Sequence, residues 1–292
     1  MSENPVLTAI NKQEWLGPVQ TKGAELVQNA FAAAGKAGQS IKNALHGTPL
    51  GHPLHPAITD VPVGSWTVAA VLDVLEATGE SKYKPGSDAA VMIGLVSAIP
   101  AALSGVTDWS DTHGQQQRVG AAHGLLNMAA AGAYAASYIA RKCDNRGLGR
   151  TLGWLGFGLV FASAYLGGEL SYTLKTGVNH APDRSDLPKD FMPAMAEADL
   201  PENKPTKAIV DGTPVLLVKR GAQIYALADT CSHLGGPLSE GKLEGDSIVC
   251  PWHGSRFCLK TGNVLDGPAT ANEPAFDMKV EDGKIFVRSK ES

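Results

Sequence analysis

Cysteine is scarce, with four in 292 residues, too few and too scattered for a disulfide scaffold. No Cys-x-x-Cys-His occurs, which excludes covalently attached haem. No phosphate-binding loop, dinucleotide fingerprint or nucleophile triad is present either, so a self-contained enzyme is not expected. There is no basic excess: 25 Lys and Arg against 29 Asp and Glu leave a net charge of -4. With a pI near 6.1, that balance excludes a nucleic-acid partner bound through a basic surface. Charge is thinnest over residues 57–174, where Ala, Gly, Val and Leu fill the gaps between 7 Lys or Arg and 9 Asp or Glu. The mean hydropathy of -0.06 therefore averages an apolar half and a polar half. No charged-then-apolar leader and no twin-Arg pair opens the chain, so no export signal is expected.

What the first half has instead is long apolar runs. Residues 57–77, 89–107, 119–140 and 152–170 each approach the ~20 residues that a bilayer-spanning helix needs. Small residues recur in all four, which suits helices packing closely in lipid. The pattern predicts a four-helix transmembrane bundle over residues 51–178, in contact with membrane lipid. Residues 1–50 read as a tail, in which Leu26, Phe31, Ile41 and Leu45 are spaced as on a surface amphipathic helix. Residues 179–194 read as a linker within a Pro-rich, charged stretch. The two short loops on one side carry Lys82, Lys84, Arg141, Lys142, Arg146 and Arg150, and the basic-residue rule places them in the cytoplasm.

The second half carries the sharpest motif. Cys231-Ser-His233 and Cys250-Pro-Trp-His253 are separated by sixteen residues. Two thiolates and two imidazoles suit tetrahedral zinc, but zinc fingers pair Cys with Cys and His with His, whereas here each loop supplies one of each. That distribution is what a [2Fe-2S] cluster needs when thiolates hold one iron and imidazoles the other. Around the motif, short β segments are expected at residues 206–210, 213–220, 222–229, 247–250, 275–281 and 284–288, separated by Gly-containing turns.

The motif C-x-H-x16-C-x2-H, over about residues 195–292, resembles a Rieske [2Fe-2S] domain, a small all-β fold. The resemblance implies that Cys231 and Cys250 ligate the inner iron and His233 and His253 the outer one, that Ser255 hydrogen-bonds the cluster, and that Pro268 marks a third loop covering it. Gly236 and Trp252 stand where quinol-oxidising members carry a disulfide, and Phe257 stands where they carry a Tyr. With one hydrogen-bond donor to sulfur missing, a potential low in the Rieske range is expected. The pattern is closer to Rieske-type ferredoxins and the electron-input domains of oxygenases.

Two cysteines remain, Cys143 and Cys258, and both read as free thiols without a role. Five histidines, His52, His55, His113, His123 and His180, fall near one membrane face on the four-span topology, as do Asp60, Asp108 and Glu169. His123, with Asn127 one turn on, is the first candidate for a site within the membrane, and His55, ahead of Pro56, is its expected partner. A b-type haem, a metal, a quinone pocket and plain helix packing all fit these residues. The segments Gly51-His-Pro-Leu-His-Pro, Ala121-Ala-His123-Gly and Gly167-Gly-Glu-Leu-Ser-Tyr172 resemble a bacterial four-helix membrane family of unknown function, which implies no activity.

The functional expectation is a membrane-anchored iron–sulfur protein of a bacterial inner membrane. It would carry single electrons to or from a redox protein or membrane complex, with haem b or quinone as further candidates. The alternative is an accessory subunit of a larger respiratory or photosynthetic complex. Loop charge favours an external cluster domain. Cluster assembly in the cytoplasm and the missing disulfide cysteines favour the cytoplasmic face.

Overall fold

Apolar runs without β-branched alternation become helices in the first half, and turn-punctuated short runs become strands in the second. The computed structural model describes residues Asn4–Lys290 and divides the chain into two units. The first three residues of the expected tail and the last two of the expected β domain lie outside the described residues. One unit comprises Met1–Gly38 and Leu54–Thr176, and the other Gln39–Pro53 and Gly177–Ser292.

In the helical unit, α1 (Pro5–Asn11) is capped by the Asn4 side chain, which accepts the Val6 N–H. α2 (Leu16–Ala33) and α3 (Gly35–His46) replace the single amphipathic helix expected over residues 20–45. The break is the left-handed residue Gly35, and the last two turns of α3 belong to the other unit. Four long helices follow: α4 (Leu54–Ala77), α5 (Lys84–Ser110), α6 (Gly114–Lys142) and α7 (Arg146–Gly168), the last ending in a π-helical turn, Glu169–Thr173. α4 packs on α5 and α7, and α6 packs on α5 and α7.

Three helical stretches are long and apolar enough to cross a membrane: Leu54–Ala77, Ser81–Ser110 and Arg146–Thr173. α6 has the length, at 29 residues, but not the apolarity. Its first turns carry Gln115, Gln116, Gln117 and Arg118, and its middle is Ala and Gly, which add little hydropathy. Large apolar side chains also face outward on these helices. Val68, Val71, Ile93, Val96, Ile99, Leu103, Leu155 and Phe161 face outward. Ala69, Ala90, Ser87, Ser104, Ser137 and Ser163 are buried.

One end of these helices is ionic. Arg141 is buried and pairs with Asp73, donates to Ser87 Oγ at 2.7 Å and to Ser137 Oγ at 3.1 Å. Arg146 binds Glu76 at 2.6 Å and also pairs with Asp88. A buried cation without these partners would be costly, so the cluster keys all four helices to one another.

The three sheets of the β unit are antiparallel. β1 (Met192–Ala196), β10 (Lys284–Ser289) and β9 (Phe276–Glu281) form one sheet, in the order β1-β10-β9. β2 (Thr206–Val210), β3 (Thr213–Arg220) and β4 (Gln223–Ala228) form a second. β5 (Lys242–Glu244), β6 (Ser247–Val249), β7 (Arg256–Cys258) and β8 (Val264–Asp266) form a third. β3 organises the unit because its Val-Leu-Leu-Val run is buried on both faces. Val215 and Leu217 enter a core with Leu187, Leu200, Phe276 and Ile285, while Leu216 and Val218 enter another with Leu238, Ile248 and Phe257. The second core also holds Cys231 and Cys250.

The stretch expected as slack linker is structured. β1 begins within it, at Met192, and pairs with β10, and Leu187 is a core residue.

Candidate functional site

Two loops at one end of the β unit share a backbone design. In the first, Cys231 N–H donates to Gly236 O at 2.9 Å and Gly235 N–H donates to Cys231 O at 2.8 Å. In the second, Cys250 N–H donates to Ser255 O at 2.8 Å and Gly254 N–H donates to Cys250 O at 3.1 Å. Each loop closes through a left-handed residue at the same offset, Gly235 (φ 79°) and Gly254 (φ 77°), a conformation that a Cβ disfavours. The loops therefore present Cys, a turn of backbone N–H groups and a His in parallel fashion.

The four side chains converge. Cys231 and Cys250 are buried, and their thiols hydrogen-bond one another. His233 and His253 are half-buried, with ring centroids 4.9 Å apart and planes nearly perpendicular. Backbone N–H groups point at the sulfurs, from His233 to Cys231 and from Trp252 and His253 to Cys250. The hydrogen bond from Cys231 pulls the Cys250 thiol down to about 7 and pushes the Cys231 thiol up, so the pair readily gives up its first proton.

This donor set fits a two-iron cluster. Each loop offers one thiol and one imidazole, whereas a zinc finger pairs Cys with Cys and His with His. Two inner thiols and two outer imidazoles instead suit two irons bridged by sulfide, with N–H donors already aimed at the sulfurs.

The supporting residues are equally specific. Ser255 is fully buried, and its Oγ accepts the Ala269 N–H at 3.0 Å, which leaves the hydroxyl proton for an acceptor in the site. Phe257 is fully buried beside the cysteines and offers no hydroxyl. At Gly236 a side-chain carbon would lie 3.0 Å from Cys250 Sγ and 3.0 Å from the Trp252 ring, so that ring packs directly over the first loop.

One residue escaped sequence reasoning. Glu273 is fully buried, and its Oε1 accepts the N–H of Ser232, between Cys231 and His233, at 2.6 Å. Burial pushes its carboxyl up to about 8. A lone Glu in Asn-Glu-Pro carries no spacing signal that could have exposed it.

The histidines expected on one membrane face divide between the two units. His180 lies in the β unit, where its N–H donates to Ser232 O at 2.9 Å, and His52 lies in the 39–53 segment of that unit. His46, read as a tail residue, is buried there too. His113 stands at the N-terminus of α6. His55 and His123 are brought together, with ring centroids 6.3 Å apart. His55 Nδ1 bonds Ala101 O at 2.9 Å, and His123 Nδ1 bonds Ser163 O at 2.9 Å. Asn127 Nδ2 lies 3.1 Å from His123 Nε2, so both nitrogens of that ring are engaged. All four cysteines are free thiols, with Cys143 exposed and Cys258 partly so.

Comparison with known proteins finds a separate family for each half of the chain. Residues 190–282 match the Rieske [2Fe-2S] domain family, and residues 51–180 match a family described as predicted membrane protein (DUF2231). The 3-phenylpropionate/cinnamic acid dioxygenase ferredoxin subunit of Escherichia coli (strain K12) is 44% identical over 92 residues, which are 31% of this chain and 85% of that protein. Its counterpart in Shigella boydii serotype 4 (strain Sb227) is 42% identical over the same length. Among solved structures, the ferredoxin of carbazole 1,9a-dioxygenase from Nocardioides aromaticivorans IC177 is 30% identical, covering 35% of this chain and 100% of that one at a TM-score of 0.33.

Proposed function

Because the chain belongs to the Rieske [2Fe-2S] family through residues 190–282, we propose that it is a membrane-anchored carrier of single electrons. Its cofactor is a [2Fe-2S] cluster, which when bound supplies reversible one-electron chemistry. Cys231 and Cys250 hold one iron and His233 and His253 the other. The observation that carries this reading is the pair of identically built loops, each giving one buried thiol and one half-exposed imidazole. The imidazole edge is then the exit for the electron, because it is the part of the donor set nearest solvent.

The chain's own residues tune that exit. N–H groups of His233, Trp252 and His253 and the Ser255 hydroxyl stabilise negative charge at the sulfurs, while Phe257 withholds a donor. The partner is a redox protein. The ferredoxin subunits that this domain resembles carry names that place them in dioxygenase systems, which supports an oxygenase or another oxidoreductase component as the acceptor.

The helical unit anchors the carrier as a four-span bundle. Outward Val, Ile, Leu and Phe over a small, polar interior support that placement. We place the cluster domain on the cytoplasmic side of a bacterial inner membrane, since the cluster is assembled there and residues 236 and 252 lack the cysteines of a disulfide. A cysteine introduced near Asp186 tests this: an impermeant thiol reagent should label it only in broken cells.

A second reading concerns the source of the electrons. His55 Nδ1 bonds Ala101 O, so a neutral ring presents Nε2 as a hydrogen-bond acceptor. A quinol hydroxyl needs such an acceptor, whereas a haem axial bond at His123 requires giving up Asn127. Quinol is therefore favoured over haem b as a ligand of this pair.

A further inference from the structure

The cluster domain is gripped by a stretch of chain far upstream of it. Asn43, in the last turn of α3, lies 224 residues before Gly267 and binds the third loop with both ends of its amide. Asn43 Oδ1 accepts the Gly267 N–H at 3.0 Å, and Nδ2 donates to Asp266 Oδ1 at 2.9 Å. Gln39 Nε2 donates to the same Asn43 oxygen at 2.9 Å and holds the amide in place. The other oxygen of Asp266 accepts from Arg256 Nε at 2.7 Å, so one carboxylate joins α3 to β7. Thr48 Oγ1 donates to Ala269 O at 3.4 Å. A side-chain carbon on Gly267 would come within 2.7 Å of that hydroxyl and 3.3 Å of the buried His46 ring. Ala269 N–H in turn donates to Ser255 Oγ. The contacts run unbroken from α3 through the third loop to the second ligand loop.

We infer that Asn43 is a positioning residue for the cluster: it fixes residues 266–269 and, through the Ala269 N–H, the direction of the Ser255 hydroxyl. The inference rests on the electron-carrier reading, and the family match begins only at residue 190. The test uses full-length parent, Asn43→Ala and Asn43→Asp, with iron, acid-labile sulfide, electron resonance spectrum and midpoint potential measured on each. Aspartate keeps the acceptor for Gly267 and loses the donor to Asp266. Asn43→Ala should retain its iron and sulfide, show shifted g-values and have a lower potential, and Asn43→Asp, whose carboxylate would face that of Asp266, should move at least as far. A parent without iron and sulfide contradicts the electron-carrier reading itself. A fully loaded parent beside an Asn43→Ala of unmoved potential and spectrum overturns the positioning role, whatever its thermal stability. Should Asn43→Ala not accumulate, Asn43→Ser carries the same comparison, and an unmoved potential there overturns the role equally.

The helical unit carries an independent inference. His55, Trp66 and Asp73 of α4 stand 68 residues before His123, Tyr134 and Arg141 of α6. Ser87, Gly94, Ala101 and Gly105 of α5 stand 62 residues before Gly149, Gly156, Ser163 and Gly167 of α7. The contacts repeat in that register. Each His bonds the equivalent carbonyl at 2.9 Å and abuts the equivalent glycine. Trp66 sits against Gly94 as Tyr134 sits against Gly156. The equivalent members also face one another: His55 with His123, Trp66 stacked on Tyr134 at 4.3 Å and 6°, and Asp73 with Arg141. Self-facing pairs of this kind arise on a two-fold axis.

We propose that the unit is one helical hairpin present twice, α4–α5 and α6–α7, and that Asp73–Arg141 is the lock that makes the copies complementary. Two first hairpins would bury Asp against Asp, and two second hairpins Arg against Arg, which like charges disfavour. Gly149 leaves room for Arg141, and Ser87 gives its hydroxyl to Asp73. The test compares full-length Asp73→Arg with the exchange Ala69→Ser/Asp73→Arg/Ser87→Gly/Ser137→Ala/Arg141→Asp/Gly149→Ser, which moves Asp73, Ser87, Ser137, Arg141 and Gly149 to the equivalent positions of the opposite hairpin. The single change should lower the midpoint of thermal unfolding in detergent, or prevent accumulation, and the exchange should recover most of that loss. An exchange no better than Asp73→Arg shows that the positions are not equivalent and overturns the proposal. Unfolding of Asp73→Arg at the parent's midpoint overturns it as well.

Discussion

Glu273 Oε1 accepts the Ser232 N–H at 2.6 Å from a carboxyl group that is fully buried, directly behind the first ligand loop. Its Oε2 has no hydrogen-bond partner among the described residues. Burial raises this carboxyl from its ordinary 4.5 to about 8. The unfolded chain therefore loses the proton first, and stability relative to Glu273→Gln falls as pH rises from about 4.5 to about 8, then levels. Within that window the slope approaches about 1.4 kcal/mol per pH unit. Unfolding midpoints of parent and Glu273→Gln across pH 5–8 check it, and parallel curves would refute a buried neutral Glu273.

Phe257 sits beside Cys231 and Cys250 without a hydroxyl. The midpoint potential should lie low in the Rieske span of roughly −150 to +300 mV. Phe257→Tyr should raise it where the new hydroxyl reaches a sulfur, as protein-film voltammetry can read. A parent value at the top of the span would mean that burial or backbone dipoles set the potential instead.

Gly94 is the floor under the Trp66–Tyr134 stack, and any side chain there overlaps the Trp66 ring. Gly94→Ala should cost about 1–3 kcal/mol through overpacking, whereas Gly132→Ala, which meets open space, should be neutral or slightly stabilising. Thermal unfolding in detergent separates them, and equal midpoints would show that the stack tolerates repacking.

For the histidine pair, His55→Ala should abolish reduction of the cluster by added quinol, and His123→Ala should weaken it by loosening α6 against α7. Stopped-flow absorbance on the reconstituted protein reads both. If quinol reduces neither parent nor variants and only thermal stability changes, the pair fastens helices and the membrane unit is an anchor.

The site was legible where its chemistry is local. Cys231, His233, Cys250 and His253 lie in two short loops, so their spacing alone announces them. Glu273 and Asn43 were not legible, because each acts across a fold-dependent distance, 41 residues to Ser232 and 224 to Gly267. The helices were visible as apolar runs. The three-residue strands β5, β7 and β8 were not, being too short to show alternation. The hairpin repeat was hidden because few positions match between copies, chiefly His, Gly and aromatic ones, and contacts were needed to align them.

The most direct measurement of the central claim is the metal content and electron resonance spectrum of the purified full-length protein. Two irons and two acid-labile sulfides per chain are expected, with a rhombic signal of low average g on reduction, lost in His253→Ala. Zinc in the native protein, or a signal that survives His253→Ala unchanged, would contradict it.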